Sequence, residues 1–172
     1  MRISLIAAMS ENRMIGRKGL LPWPHLPNDW DNFFKVTAGC RMIMGRKSYD
    51  TPDRLSSESG NFVITRQENF PMEDGFVRVG SLEEALTLCQ NDPEVFVIGG
   101  EEIFRWALPL ADVIHLTLVH GIFEGDARFP EFSEEVFQLK SRQDFPADPR
   151  HAYAYSFLVY ERAVKKADFH AP

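Results

Sequence analysis

The hydrophobic positions of the chain alternate between short apolar runs and longer amphipathic stretches. Residues 3–9, ISLIAAM, are almost continuously apolar, which is typical of a strand buried on both faces. Seven further runs predict strands at 41–45, 61–65, 75–79, 94–100, 112–120, 137–145 and 153–162. The last two alternate in hydrophobicity, which favours an antiparallel pair at the end of the sheet.

Amphipathic stretches between these runs predict four helices. The first begins near Pro27, because proline is favoured at the first helical position. A short helix over 45–51 follows the second strand. Ser81 and Glu84 form a Ser-x-x-Glu capping box that begins the third helix, and EEIFRWALP at 101–109 predicts the fourth.

The alternation of strands and helices predicts the fold class, an α/β single domain. We expect a central, mixed but mostly parallel, eight-stranded sheet flanked by about four helices, with right-handed crossovers. Loops at the carboxyl ends of parallel strands gather at one edge, where such sheets bind ligands. Residues 1–162 are expected to form the domain, and 163–172 a loosely ordered C-terminal extension.

Composition limits the classes of function. The 172 residues suit one domain, and the formal net charge of −6 argues against a general binder of nucleic acid or anionic membranes. Cys40 and Cys89 have no metal-ligand spacing, so we expect free thiols, a reducing cytoplasm and no metal. The N-terminal apolar run is too short for a signal peptide, and no stretch is long enough to span a membrane.

Cations follow two neighbouring strands. GRKS at 45–48 places a glycine, two cations and a hydroxyl where a strand ends and a helix begins, an arrangement suited to an anion. Arg66 leaves the next strand and could join Arg46 and Lys47 around one phosphate. The alternative interpretation is a short helix with solvated cations.

Paired glycines end the fifth strand, in VIGGEE at 97–102. They would let the backbone lie directly against a flat ligand or a pyrophosphate, and an ordinary tight turn is the alternative. Glu101 and Glu102 suit the first turn of a helix but would repel a phosphate there. The sequence leaves that conflict open.

Asp29 lies on the same face of the first helix as Phe33 and Val36, at i, i+4 and i+7. Acids are common in a first helical turn, which is the simpler explanation. Its apolar face, however, implies burial, and a buried carboxylate needs a partner or a raised pKa. A ring with an N–H beside an exocyclic amino group would satisfy it with two hydrogen bonds.

Together these segments resemble the dihydrofolate reductase family. The matching segments, in family order over nearly the whole chain, are ISLIAA, IG…LLPW, LPNDWDNFFKVT, MIMGRKSY, NFVITR, VIGGEEIF, LTLV and EGDARFP. Each is weak alone, but eight in order are specific. The stretch WPHLPND resembles family members with an extra residue in that loop.

The resemblance implies NADPH-dependent reduction of 7,8-dihydrofolate to tetrahydrofolate, with a hydride reaching pterin C6 and a proton reaching N5. Asp29 would bind the pterin 2-amino group and N3, and Trp23 would hold an ordered water nearby. Thr117 would bond both Asp29 and the pterin amino group. These three are the expected catalytic residues. The resemblance further implies an enzyme of one-carbon metabolism that binds a small-molecule substrate and is a target of antifolate inhibitors. We expect it to be a monomer.

The resemblance also implies the binding residues. The substrate pocket is expected to comprise Ile6, Ala7, Asp29, Trp30, Phe33, Thr51, Ile98 and Thr117. The NADPH site is expected to comprise Ala8, Ile15, Gly16, Gly45, Arg46, Lys47, Ser48, Thr65, Arg66, Gly99, Gly100, Glu101 and Ile103. A cis peptide between the paired glycines is implied, as is a mobile lid over 10–26 that Asp126 braces.

The chain departs from the family pattern where the substrate tail would bind. Ser59 stands in place of the arginine that clamps the α-carboxylate of the folate glutamate, and Arg54 lies five residues earlier. Phe34 replaces a lysine found near the glutamate in some members. In the core of the site, Phe104 replaces a common tyrosine and Trp30 a leucine or methionine.

Three functions therefore stay open at this point. The first is a dihydrofolate reductase with a different hold on the tail. The second is an NADPH-dependent reductase of a tail-less dihydropterin or a related flat substrate, because the clamping arginine is absent. The third is a binding protein that has kept the fold without turnover, against which Asp29, Trp23 and Thr117 argue.

Overall fold

A computed structural model of the chain describes residues 1–164 and 166. The strands are β1 Arg2–Ser10, β2 Met14–Gly16, β3 Arg41–Gly45, β4 Asn61–Ile64, β5 Phe76–Val79, β6 Glu94–Gly99, β7 Val113–Val119, β8 Ala127–Arg128, β9 Phe137–Phe145 and β10 Tyr155–Arg162. The helices are α1 Pro27–Thr37, α2 Arg46–Tyr49, α3 Leu82–Leu88 and α4 Glu101–Ala107, and a 3₁₀ turn, Leu108–Leu110, follows α4.

The main sheet has eight strands in the order β5-β4-β3-β6-β1-β7-β10-β9. Every neighbouring pair is parallel except those that β10 makes with β7 and β9. The predicted fold class, a mostly parallel eight-stranded sheet with an antiparallel closing pair, is therefore confirmed. Strand β1 lies centrally, with Ile6 opposite His115 and Ala8 opposite Thr117 on β7.

The structure adds a second, two-stranded sheet that the sequence pattern did not predict. Strand β2 lies inside the segment expected to be a loop and pairs with β8, more than a hundred positions later. With three and two residues, these strands are too short to show an alternating pattern. Their pairing depends on a long-range contact, so local sequence could not reveal it.

The third helix is capped as the sequence predicts. The Ser81 hydroxyl accepts a hydrogen bond from the Glu84 N–H at 3.1 Å. The Glu84 carboxylate accepts from the Gly80 N–H at 2.6 Å, one residue before the position that a standard capping box uses. The helix ends at Leu88 rather than near residue 90, where the chain turns toward β6.

No helix within the described part of the chain is both long and apolar enough to cross a membrane. Of the predicted C-terminal extension, 165 and 167–172 lie outside the described residues. The boundary at residue 162 therefore stays a prediction.

The main hydrophobic core lies on the sheet face covered by α3 and α4. Phe104 of α4 is 2% exposed and packs on Phe129, with ring centroids 4.9 Å apart. The opposite face carries α1 and two smaller buried clusters, one of which contains Trp23 and Leu26. Among the described residues, α1 is the helix that covers this face of the central strands, and a cavity opens beside it.

We predict that Gly45→Ala destabilises the fold because α4 packs directly on the end of β3. A Cβ at Gly45 would lie 2.9 Å from Cγ1 of Ile103, which is buried. The backbone of Gly45 has a φ of −82°, which alanine adopts easily, so the cost is overpacking alone. We expect the free energy of unfolding in urea to fall by about 1–3 kcal/mol.

Gly80→Ala is the matched control, because its nearest neighbour would be the Glu84 carboxylate at 3.4 Å. Its unfolding midpoint should match that of the unchanged protein. Equal stability of the two variants would show that β3 and α4 are less tightly packed than the structure indicates.

Candidate active site

A cavity of about 290 Å³ opens between α1 and the carboxyl-terminal halves of β1, β6 and β7. Its position matches the sheet edge that the sequence analysis assigned to ligands. The structure brings the following predicted residues together in its lining: Ile6, Ala7, Ala8, Ile15, Asp29, Trp30, Phe33, Ser48, Ile98, Gly99, Gly100 and Thr117. Most of these are apolar, so each polar group in the lining has a large effect on what can bind.

Asp29 is the acidic residue of this cavity. It lies in the first turn of α1, with Phe33 and Val36 on the same face and also in the lining. The Thr117 hydroxyl donates a hydrogen bond to Asp29 Oδ1 at 2.6 Å. Burial raises the pKa of the Asp29 carboxyl, and the Thr117 hydrogen bond and the charge of His25 oppose that rise.

Trp23 lies at the inner end of the segment before α1 and is 4% exposed. Its ring packs edge-on against Phe123, with centroids 5.7 Å apart. Among the described residues, no hydrogen-bond partner reaches its buried Nε1. A buried N–H without a protein partner is a place where an ordered water binds in polar sites.

The paired glycines form a narrow wall of the cavity. The Gly99–Gly100 peptide is cis, as the family resemblance implied, and Gly99 has a φ of +127°. A Cβ at Gly99 would lie 3.2 Å from the Phe104 ring and 3.4 Å from the Ser48 hydroxyl. A side chain at Gly99 would crowd these neighbours, so this part of the wall, here called the glycine slot, is bare backbone; Ala8 and Ile15 line the same cavity.

The predicted phosphate-binding cations lie outside the cavity lining, on the surface beyond β3 and β4. Arg46 pairs with Asp50 at 3.4 Å, while Lys47 and Arg66 are exposed. Thr65 is buried, and its hydroxyl accepts from the Gln67 N–H at 3.2 Å. The three cations flank the strand ends next to the glycine slot, and their role as phosphate ligands stays a prediction.

Three other predicted residues lie beside the cavity rather than in its lining. The Glu101 carboxylate accepts from the Arg128 N–H of β8 at 3.0 Å, so it points away from the strand end. Ile103 is buried beneath Gly45. The Thr51 hydroxyl donates to the Ser48 carbonyl at 2.9 Å. Their contacts here are structural, and a contact with ligand stays a prediction.

The segment predicted to be a lid is braced by Asp126. The Asp126 carboxylate accepts from the Lys18 N–H at 2.8 Å, and the Asp126 N–H donates to the Gly16 carbonyl at 2.9 Å. Arg17 and Leu20 also exchange two backbone hydrogen bonds, so the tip of the segment is a closed turn. Gly16 therefore acts through backbone pairing, while its neighbour Ile15 reaches the cavity.

Arg54 is held away from the missing clamp position. Its guanidinium donates to the Tyr49 carbonyl at 3.1 Å and pairs with Glu73. It also lies over two aromatic rings, 4.3 Å from the Tyr49 centroid and 4.7 Å from that of Phe76. Ser59 itself is exposed and uncharged.

The cavity contains residues that the sequence analysis did not assign. They are Leu21, Asn32, Leu55, His115, Leu116, Ser141, Gln143, Phe157, Leu158 and Val159. His115 could have been found, because it lies two residues before Thr117 on the same face of β7. The residues of β9 and β10 enter through strand pairing alone, which local sequence does not specify.

Comparison with known proteins gives consistent results. A family model described as dihydrofolate reductase matches residues 2–162. The dihydrofolate reductase of Bacillus subtilis is 41% identical over 160 residues, covering 93% of this chain and 94% of the relative. That of Neisseria gonorrhoeae is 38% identical over 162 residues, covering 93% and 98%.

A solved structure is also similar. It is a dihydrofolate reductase from Enterococcus faecalis complexed with NADP(H) and RAB-propyl, with a TM-score of 0.84 and 30% identity over 95% of this chain and 97% of that one. The fold thus agrees with the family match over nearly the full length. The chain belongs to the dihydrofolate reductase family.

Proposed function

We propose that the chain catalyses the NADPH-dependent reduction of 7,8-dihydrofolate to 5,6,7,8-tetrahydrofolate. The observation that carries this proposal is the carboxylate of Asp29, held by Thr117 inside an otherwise apolar cavity. A buried acid with one neutral partner in the protein has acceptor capacity left for a ligand. A pterin ring, which presents an amino group and a ring N–H side by side, has the complementary donors.

Asp29 binds and orients the ring in this proposal. Its carboxylate accepts from the 2-amino group and N3 of the pterin, and Thr117 fixes the carboxylate from the other side. The negative charge near the ring favours protonation at N5 without touching it. Phe33 and Ile6, both in the lining, pack against the faces of the ring and exclude water.

The proton for N5 has a separate route. The Nε1 of Trp23, which has no hydrogen-bond partner among the described residues, is suited to hold a water molecule; Trp23 itself lies outside the cavity lining, in the buried cluster with Leu26 and Val119. Because Asp29 does not reach N5 in this arrangement, water is the group that delivers the proton.

The residues present fit NADPH. The glycine slot admits a flat ring against bare backbone, and Ala8, Ile15 and Ser48 border it. Bound NADPH supplies the hydride that pterin C6 receives. Arg46, Lys47 and Arg66 are proposed to hold the phosphates, with Arg46 and Arg66 near the 2′-phosphate that distinguishes NADPH from NADH.

The held position of Arg54 favours a second candidate, a reductase that also accepts tail-less dihydropterins. No cation stands at residue 59, and Arg54 is engaged by Tyr49, Glu73 and Phe76. The tail of dihydrofolate would then be bound chiefly by apolar contacts with Phe33, Val36 and Leu55.

We also propose that the enzyme works as a monomer in the cytoplasm and that antifolates inhibit it. Cys40 and Cys89 are free thiols, consistent with a reducing compartment. A flat heterocycle with an amidine-like edge would compete with substrate for Asp29.

We predict that Asp29→Asn lowers the rate of dihydrofolate reduction at pH 7 by about a hundredfold or more, because the charge that favours N5 protonation is lost. The dissociation constant for NADPH, measured by fluorescence titration, should not change. Asp31→Asn is the matched control, since Asp31 is exposed on the same helix and should retain the normal rate. A near-normal rate for Asp29→Asn would contradict the assigned role.

Asp29→Asn should also raise the free energy of unfolding of the ligand-free protein at pH 7. Burial raises the folded-state pKa of Asp29 above its ordinary value of 3.8, so the folded state binds the proton more tightly. The free energy of unfolding therefore falls as the pH rises from 3.8 through the folded-state pKa. Asparagine has no charge to desolvate, so the variant does not lose stability over this pH range. Urea titrations of the unchanged protein and of Asp29→Asn at pH 4 and pH 7 would show a larger difference in the free energy of unfolding at pH 7. An equal stabilisation at both pH values would contradict the raised pKa of Asp29.

We predict that kcat/KM is about tenfold higher for dihydrofolate than for a dihydropterin lacking the benzoylglutamate tail, since apolar contacts alone distinguish them. Arg54→Ala should leave that ratio within about twofold of normal, because the guanidinium is engaged elsewhere. The rate of NADPH oxidation, followed with each substrate for the unchanged protein and for Arg54→Ala, gives the two ratios of kcat/KM. A large fall in the ratio for Arg54→Ala would show that Arg54 leaves its aromatic neighbours to bind the tail.

A further inference from the structure

Helix α1 begins without a cap of its own. Leu26 occupies the N-cap position and has no side chain that can accept a hydrogen bond. The N–H groups of Asp29 and Trp30 reach the Leu26 carbonyl at 3.0 and 3.5 Å, and Pro27 has no N–H. The N–H of Asn28, immediately before Asp29, is left to find an acceptor outside the helix.

That acceptor is His151, in the connection between β9 and β10. The Asn28 N–H donates to His151 Nε2 at 3.1 Å, across 123 positions of sequence. The imidazole is 1% exposed, and its Nδ1 lies 2.9 Å from Asp148 Oδ1. Because Nε2 accepts a hydrogen bond, the ring proton belongs on Nδ1, where it is donated to Asp148.

Asp148 is itself fixed in place. Its carboxylate accepts from the Arg150 N–H at 2.8 Å. The main chains of Asp148 and His151 exchange two hydrogen bonds of 2.9 and 3.1 Å, which close the turn between them. The hydrogen bond from His151 holds the pKa of Asp148 below its ordinary value, so the carboxylate is ionised and accepts the Nδ1 proton.

A second contact ties the same residue to the same hairpin. The side-chain amide of Asn28 donates to the Tyr155 hydroxyl at 2.7 Å. Tyr155 is 1% exposed and stacks on Phe145 of β9, with centroids 5.1 Å apart and planes inclined by 11°. Both the backbone and the side chain of Asn28 are therefore anchored to the β9–β10 hairpin.

We propose that Asp148 and His151 are positioning residues that fix the first turn of α1 and so set where Asp29 meets the substrate. This rests on the proposed function of Asp29. Neither residue lines the cavity. Asp148 reaches α1 through His151, and His151 reaches it through the Asn28 N–H and through its ring contact with Tyr155, which bonds the Asn28 side chain.

The β9–β10 hairpin also lies beside the strand that carries Thr117, so the position of α1 affects both residues that would bind the pterin. Thr117, the partner of Asp29, lies opposite Phe157 of β10, two residues beyond Tyr155. One hairpin therefore supports both the helix that carries the acid and the strand next to its hydroxyl partner. A shift of the first turn would move Asp29 relative to Thr117 and change the two acceptor sites offered to the pterin.

The test compares two substitutions of similar size that differ in the acceptor. His151→Gln keeps an oxygen near the position of Nε2, whereas His151→Leu has none. We expect His151→Leu to raise the dissociation constant for dihydrofolate about tenfold, with His151→Gln within about threefold of normal. The NADPH dissociation constant should change in neither.

Ser156→Ala controls for a general loss of stability. Ser156 is buried on β10 beside Tyr155 and bonds His120 rather than α1. Its removal should lower the unfolding midpoint and leave dihydrofolate affinity normal. If His151→Leu does the same, or if it weakens both ligands equally, the positioning role is wrong.

Asp148→Ala keeps the proposal testable if His151→Leu does not fold. Asp148→Ala alone should weaken dihydrofolate binding, and it should add little to that loss of affinity in the His151→Gln background, because Asp148 reaches α1 through the imidazole; its bond with the Arg150 N–H lies within its own turn. Full additivity of the two changes would overturn the proposal.

A measurement without substrate separates this proposal from the proposed function. The ¹⁵N chemical shifts of His151 should show a proton on Nδ1 and an accepting Nε2. A protonated Nε2 would contradict the cap, whatever the protein reduces. If the shifts agree but dihydrofolate is not reduced by the unchanged protein, the proposed function fails and the cap stands.

Discussion

The partly buried carboxylate of Asp29 is the constraint on which the rest of the site depends. Removing an ionised acid from water is costly unless hydrogen bonds replace the lost hydration, and Thr117 supplies one such bond. Burial raises the pKa of the Asp29 carboxyl, and the Thr117 hydrogen bond offsets only part of that rise. A ligand that donates two hydrogen bonds completes the set, so binding energy is concentrated at one edge of one ring.

The sheet order makes that arrangement possible. Strand β1 lies between β6 and β7, so the ends of three parallel strands meet beneath α1. From these ends come the small Ala8, the bare backbone of Gly99 and the hydroxyl of Thr117, each suited to a different part of the proposed ligands. The glycine slot and the acid therefore line one cavity, and hydride transfer requires two flat rings held together in such a space.

Much of this could be predicted from the sequence because the signals are local. Pro27 indicates the start of α1, the spacing of Asp29 and Phe33 indicates a buried acid, and Ser81 indicates the cap of α3. The unpredicted features depend on distant contacts: the pairing of β2 with β8 and the stacking of Arg54 on Phe76. No period or cap in the sequence records such contacts, since each is fixed by packing of elements far apart in the chain.

The bonds between Asn28 and the β9–β10 hairpin have a consequence for how the protein is made. They span 123 and 127 positions of sequence. The β9–β10 hairpin must therefore dock on α1 before the Asn28 N–H and side chain have their hydrogen-bond partners. During synthesis the nascent chain exposes α1 long before Tyr155 leaves the ribosome. The cofactor slot, whose strands all precede residue 120, can close earlier than the substrate site. The substrate side of the cavity is thus expected to reach its final structure only after the β9–β10 hairpin has been synthesised.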